Sequence, residues 1–230
     1  MNNMEKVDSE IWKNDDEWGD WMVEFVPCKK GPNFSDENFK DLTERWNEKI
    51  DKENFDVLMA VSLVPISTNH NYDMLWQQEF WTKDREKFWK DWKESHEIKW
   101  NDENGSVLLF DTDNILKYKA SIRGKILPFD ERMYFQEFRY CNYKEGFNES
   151  DLVDFERSYH KKIKKLDIMG SCLSALFKPL DKDTKNNFDF VWHNCFDSLE
   201  NHNSTIEVLN NSLGDFVTFE SMSHIASKIR

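Results

Sequence analysis

Tyr72-Asp73-Met74-Leu75-Trp76, with Phe80 beyond it, returns as Phe188-Asp189-Phe190-Val191-Trp192, with Phe196 beyond it. Large apolar residues at every second position mark a half-buried β-strand. A strand written twice implies a unit written twice, and the match extends outward on both sides. Glu24-Phe25 with Cys28 matches Glu137-Phe138 with Cys141. Gly31, Asn33 and Ser35-Asp36 match Gly146, Asn148 and Ser150-Asp151. Pro65 matches Pro179, and Gly105 with Phe110-Asp111 matches Gly214 with Phe219-Glu220. The order is collinear. A period above a hundred residues is too long for a solenoid, so the repeat reads as two domain-sized halves.

The first half predicts a strand over 21–28, with Trp21, Val23 and Phe25 on one face and Met22, Glu24, Val26 and Cys28 on the other. Ser35 is placed to cap a helix whose apolar stripe is Phe39, Leu42, Trp46 and Ile50. A strand over 55–65 ends at Pro65, a third runs over 72–80, and Thr82 is expected to cap a helix carrying Phe88, Trp89 and Trp92. After Asn104-Gly105 a short strand covers 107–110. The second half repeats this: strand 133–141, helix 150–165 capped by Ser150, strands 168–178 and 188–195, helix 198–212 with an Asp197-x-x-Glu200 capping box, and strand 215–220.

Each half therefore reads β-α-β-β-α-β, the ferredoxin-like order, in the α+β class. Helices cover one face of such a sheet, and two sheets in one chain can bury their other faces together. Element order and duplication together resemble the dimeric α+β-barrel superfamily, in the form where one chain supplies both halves as a pseudo-dimer. The expected organisation is a polar arm (1–20), a first ferredoxin-like unit (21–111), a connector (112–132), a second unit (133–221) and a short tail (222–230).

Composition narrows the partners. With 44 acidic against 31 basic residues, the formal net charge of −13 opposes binding to nucleic acid or anionic membranes. Residues 1–6 are polar and no apolar leader follows, so the expected location is cytoplasmic. No apolar run is long enough to span a bilayer. Four cysteines without C-x-x-C spacing predict free thiols rather than disulfides or a zinc ribbon. Aromatics make up 15% of the chain, so the core is expected to be built from rings.

For chemistry, the polar positions of the first and third strands of the second half stand out. Glu137, Arg139, Cys141, Asp189, His193 and Cys195 are expected to share one surface and to line a ligand site. Its catalytic candidates are His193, Glu137 and Asp189. In this reading His193 titrates near neutrality and a carboxylate orients it. The competing reading is an ordinary buried ion pair of Arg139 with Glu137 or Asp189. A metal site on His193, Cys195 and Cys141 lacks supporting spacing, so no metal and no cofactor is expected. Asp73/Asp189 and Glu24/Glu137 recur in both halves and are expected to be structural, whereas Gln77 and Glu79 stand where the second half has His193 and Cys195. His202 is expected to be a packed or rim histidine.

The function expected first is binding of a small apolar or aromatic molecule in a barrel pocket, as a monomeric pseudo-dimer or a homodimer. The resemblance implies alternatives, since the superfamily includes cofactor-independent monooxygenases, isomerases and haem-dependent enzymes. A haem form would need an axial histidine, for which His193 or His202 could serve. The non-enzymatic alternative is a protein-interaction or stress-related module.

Overall fold

The computed structural model describes residues 20–67, 70–122, 133–165, 172–180 and 187–230. The expected arm, apart from residue 20, lies outside the described residues. The elements in order are β1 (Trp21–Lys30), α1 (Asp36–Lys52), β2 (Met59–Pro65), β3 (Met74–Trp81), α2 (Thr82–Ser95), α3 (Glu97–Asn104), β4 (Leu108–Phe110) and β5 (Leu116–Ile122). There follow β6 (Tyr134–Tyr143), α4 (Glu149–Lys165), β7 (Cys172–Pro179), β8 (Phe190–Phe196), α5 (Leu199–Leu213) and β9 (Val217–Lys228).

Hydrogen bonding runs β1-β3-β2-β9-β6-β8-β7-β5 and back to β1, an antiparallel ring of eight strands. The first strand of each half lies between the third and the last: β1 between β3 and β4, and β6 between β8 and β9. Closure comes from crossing strands. β5 leaves the first half to pair with β7, and the far end of β9 pairs with β2.

These crossings change two expected boundaries. Residues 116–122, read as connector, are a barrel strand, and residues 222–228, read as tail, continue β9. Their inward sets are short and interrupted by lysine or serine, so their alternation is faint in the sequence.

The helix starts follow local hydrogen-bond chemistry. Ser35 caps α1, its Oγ accepting from the Asn38 N–H at 3.1 Å. At α4 the helix begins one residue early, and Asn148 takes the role expected of Ser150, its Oδ1 accepting from the Ser150 N–H at 2.9 Å. Ser198, not an Asp197/Glu200 box, caps α5 by accepting from the Asn201 N–H at 3.2 Å. Thr82 is the first residue of α2, which has no side-chain cap. The helix expected after Thr82 is two, broken at His96.

Three apolar clusters result. Trp46, Trp76, Phe88 and Trp92 lie between the first half's helices and the sheet. Phe155, Tyr159, Trp192 and Leu209 do the same in the second half. Val23, Phe25, Tyr118, Phe138, Phe177 and Val191 fill the barrel interior, where rings of both halves interlock. Phe25 meets Phe138 edge-to-face at 5.3 Å. Among the described residues no helix is long and apolar enough to cross a membrane.

Candidate ligand site at the barrel mouth

The six residues singled out in the sequence divide between two sides of the wall. Residues directly opposite in an antiparallel pair share a face. Glu137 lies opposite Asn194, Arg139 opposite Trp192 and Cys141 opposite Phe190, all facing the helices. His193 lies opposite Phe138 and Cys195 opposite Gln136, facing the barrel interior. The expected shared surface does not form, because the polar faces of the two strands point in opposite directions.

On the helix side, Arg139 and Glu137 form a buried ion pair at 3.0 Å, with 1% and 2% of their side-chain surface exposed. Arg139 Nη1 also donates to Asn210 Oδ1, and its guanidinium lies over the Phe219 ring. His202 Nε2 stands 3.8 Å from Glu137 Oε2, and its ring meets Phe196. Cys141 sits in the apolar cluster, where burial pushes its thiol up to about 12. Glu24, the counterpart of Glu137, is held differently, by Arg85, Trp89 and Gln78.

Asp189 is a backbone clamp. Its N–H donates to the Cys141 carbonyl at 2.9 Å and its Oδ2 accepts from the Tyr143 N–H at 2.9 Å. Asp73 does the same to Cys28 and Lys30, each bond 2.8 Å.

Inside the barrel, His193 stacks against Phe138 (4.7 Å) and Phe177 (5.0 Å), which also touch each other, and its Nε2 hydrogen-bonds Gln136 Oε1 at 3.0 Å. Sequence reading missed its companion, His224, which is fully buried on β9 opposite Gln136. Desolvation holds both imidazoles neutral, lowering His193 to about 3 and His224 to about 4. That removes the expected neutral-pH titration of His193. The first half's interior instead holds Glu79, which burial raises to about 8 and which accepts from Gln77 Nε2 at 2.7 Å.

The interior is packed in the middle and opens at one end, where β3, β5 and β9 begin and β6 ends. There a cleft of about 620 Å³ lies outside all six predicted site residues. Its walls are Tyr72, Leu75, Leu116, Tyr140, Phe188 and Met222. Asparagines 71, 142 and 187, with Thr218 and Glu220, supply polar groups. Tyr140 and Phe188 pack edge-to-face at 4.8 Å. Tyr72 links the cleft to the interior: its hydroxyl lies 3.3 Å from His224 Nε2, and one ring face is covered by His70 at 5.0 Å. Burial raises the Tyr72 phenol to about 12 and the Tyr140 phenol further, so both are neutral donors and acceptors at physiological pH.

The histidines do not fit the axial role a haem form would require. His193 is buried against the Phe138 and Phe177 rings with one nitrogen on Gln136, and His202 is wedged against Glu137 and Phe196. Neither lines the cleft. Among the described residues no group of three or more His, Cys, Asp or Glu is placed to hold a metal ion.

No family model and no curated protein matches the sequence. Solved structures do match in shape. A variant of chlorite dismutase from Candidatus Nitrospira defluvii in complex with cyanide aligns at TM-score 0.61 and 11% identity, covering 100% of this chain and 96% of that one. The chlorite dismutase of the same organism in complex with imidazole aligns at TM-score 0.59 and 10% identity, covering 94% and 95%. A doubly substituted variant aligns at TM-score 0.60 and 10% identity, covering 92% and 93%. At this identity the likeness shows the fold alone, an α+β barrel closed by eight antiparallel strands, and nothing about chemistry.

Proposed function

We propose that this protein binds a small aromatic molecule in the cleft at the mouth of its barrel. One observation carries the reading: a cleft of about 620 Å³ walled by Tyr72, Tyr140 and Phe188, with a few convergent amides. Size and lining match those of small-molecule sites, which are apolar clefts of roughly 300–1,000 Å³ with a small number of polar groups. The neighbours' complexes with imidazole and cyanide support small-molecule binding as a use of this fold.

A general-base role for His193 has no support in this geometry. It is screened by Phe138 and Phe177 and lies away from the cleft. The binding site in this reading is the barrel mouth, whose lining includes none of the six strand residues.

The two-unit organisation, with boundaries near 21–111 and 133–221 in one pseudo-dimeric chain, belongs to the same proposal. The matching clamps at Asp73 and Asp189 support it. Cytoplasmic location is supported by the buried, reduced thiols of Cys28 and Cys141.

Native mass spectrometry of the purified protein tests the function, since a retained small molecule is expected. Phe188→Ala and Tyr140→Ala should each weaken its binding by about tenfold or more, the scale of losing a buried ring contact, with the circular dichroism spectrum unchanged. Equal binding by both variants would remove the cleft as the site.

A further inference from the structure

We propose that the ligand of the barrel-mouth cleft is an organic cation: an apolar or aromatic body carrying one positively charged nitrogen. The inference rests on the proposed cleft and adds the charge of its occupant.

Strand alternation determines what faces the opening. On β6 the inward series ends Phe138, Tyr140, Asn142, and on β9 it begins Thr218, Glu220, Met222, His224. Glu220 lies directly opposite Tyr140, and Thr218 directly opposite Asn142. This carries the Glu220 carboxylate to the rim beside the two rings that form the cleft's aromatic wall, Tyr140 and Phe188.

The charge balance is one-sided. Among the described residues lining the cleft, Glu220 is the single charged side chain, and no lysine or arginine is present. The remaining polar groups are amides, a hydroxyl and two phenols kept neutral by burial. On β5, whose first residue Leu116 lines the cleft, Lys117 and Lys119 alternate to the outer face, away from the inward residues Tyr118 and Ala120.

Ring faces carry negative quadrupole potential and attract cations, most strongly where water is displaced. A carboxylate at the rim adds direct attraction, and a chain of net charge −13 concentrates cations at its surface. An anion entering the same cleft meets ring faces and Glu220 with no described cation to pair with. A neutral body gains only apolar burial.

The test uses three probes of similar shape: benzyltrimethylammonium, its neutral carbon isostere neopentylbenzene, and 3-phenylpropanoate. Binding to the full chain is followed by ligand-observed NMR at low and moderate salt, in the parent and in Glu220→Gln and Phe188→Leu. The expected order is cation over isostere by tenfold or more, with the anion weakest. Glu220→Gln should lower cation affinity several-fold and leave the isostere unchanged, while Phe188→Leu should weaken both. Added salt should weaken the cation alone. Cation and isostere binding equally would overturn the charge assignment while leaving the aromatic cleft standing. Tighter binding of the anion would overturn it as well. Failure of all three probes would overturn both the cation and the cleft.

Discussion

Glu137 and Arg139 show how a single buried pair is balanced. Both are almost fully enclosed, and each is worth having only while the other is present. Arg139→Met should cost about 3–5 kcal/mol, because it strands the Glu137 carboxylate beneath α5. Adding Glu137→Gln removes the stranded charge and should recover most of that loss, a non-additivity readable from urea denaturation of the two single variants and the double. The pair was legible from two polar residues at i and i+2 on one strand. The face it occupies was not. That depends on which residue of β8 lies opposite, and Phe138 opposite His193 is a register fact that no single strand encodes. His224 was missed for a related reason: it falls where the sequence offers only a serine-rich, tail-like segment.

At the scale of elements, repeated residues keep some jobs and change others. Asp73 and Asp189 each tie the start of a third strand to the end of a first strand. Asp189→Ala should cost about 1–3 kcal/mol by leaving the Tyr143 N–H without its acceptor. Hydrogen exchange should then quicken at Tyr143 before the rest of β6. Gly31 and Gly146 recur together but answer to different constraints. A Cβ on Gly31 would stand 2.2 Å from the Ser106 carbonyl oxygen, whereas Gly146 has open space and a φ of +89°. Gly31→Ala should therefore be the more damaging substitution, by thermal melting, since backbone must move to admit it. Strand order and helix stripes were readable because apolar periodicity is strong in them. β5 was hidden because its inward set, Leu116, Tyr118 and Ala120, is diluted by lysines that face out.

For the whole molecule, the barrel interior sets a pH optimum. His193 faces Gln136, Phe138 and Phe177 and feels His224; His224 faces Tyr72 and His70; Glu79 faces Gln77 and Trp21. The histidines have folded pKa values of about 3 and about 4, below the unfolded 6.5. Their contribution is therefore present above pH 6.5 and lost as pH falls toward 4. Glu79 has a folded value of about 8, above its unfolded 4.5, so its contribution is present below 4.5 and lost as pH rises toward 8. Between 4.5 and 6.5 two imidazoles outweigh one carboxyl, and above 6.5 only the carboxyl acts. Urea midpoints should peak near pH 6.5, and Glu79→Gln should flatten the decline between pH 6.5 and 8.

The exchange of β5 and the far end of β9 has a mechanical consequence. Ile229 and Arg230 are knotted into the opposite half through Ala60, Val57, Asn47 and Asp51. Neither half owns a full set of borders: remove the loaned ribbon and β2 or β7 is left with a raw margin that recruits other chains. Calorimetry should record one melting event rather than two, and pieces severed between β5 and β6 should be sticky alone but reassemble when mixed.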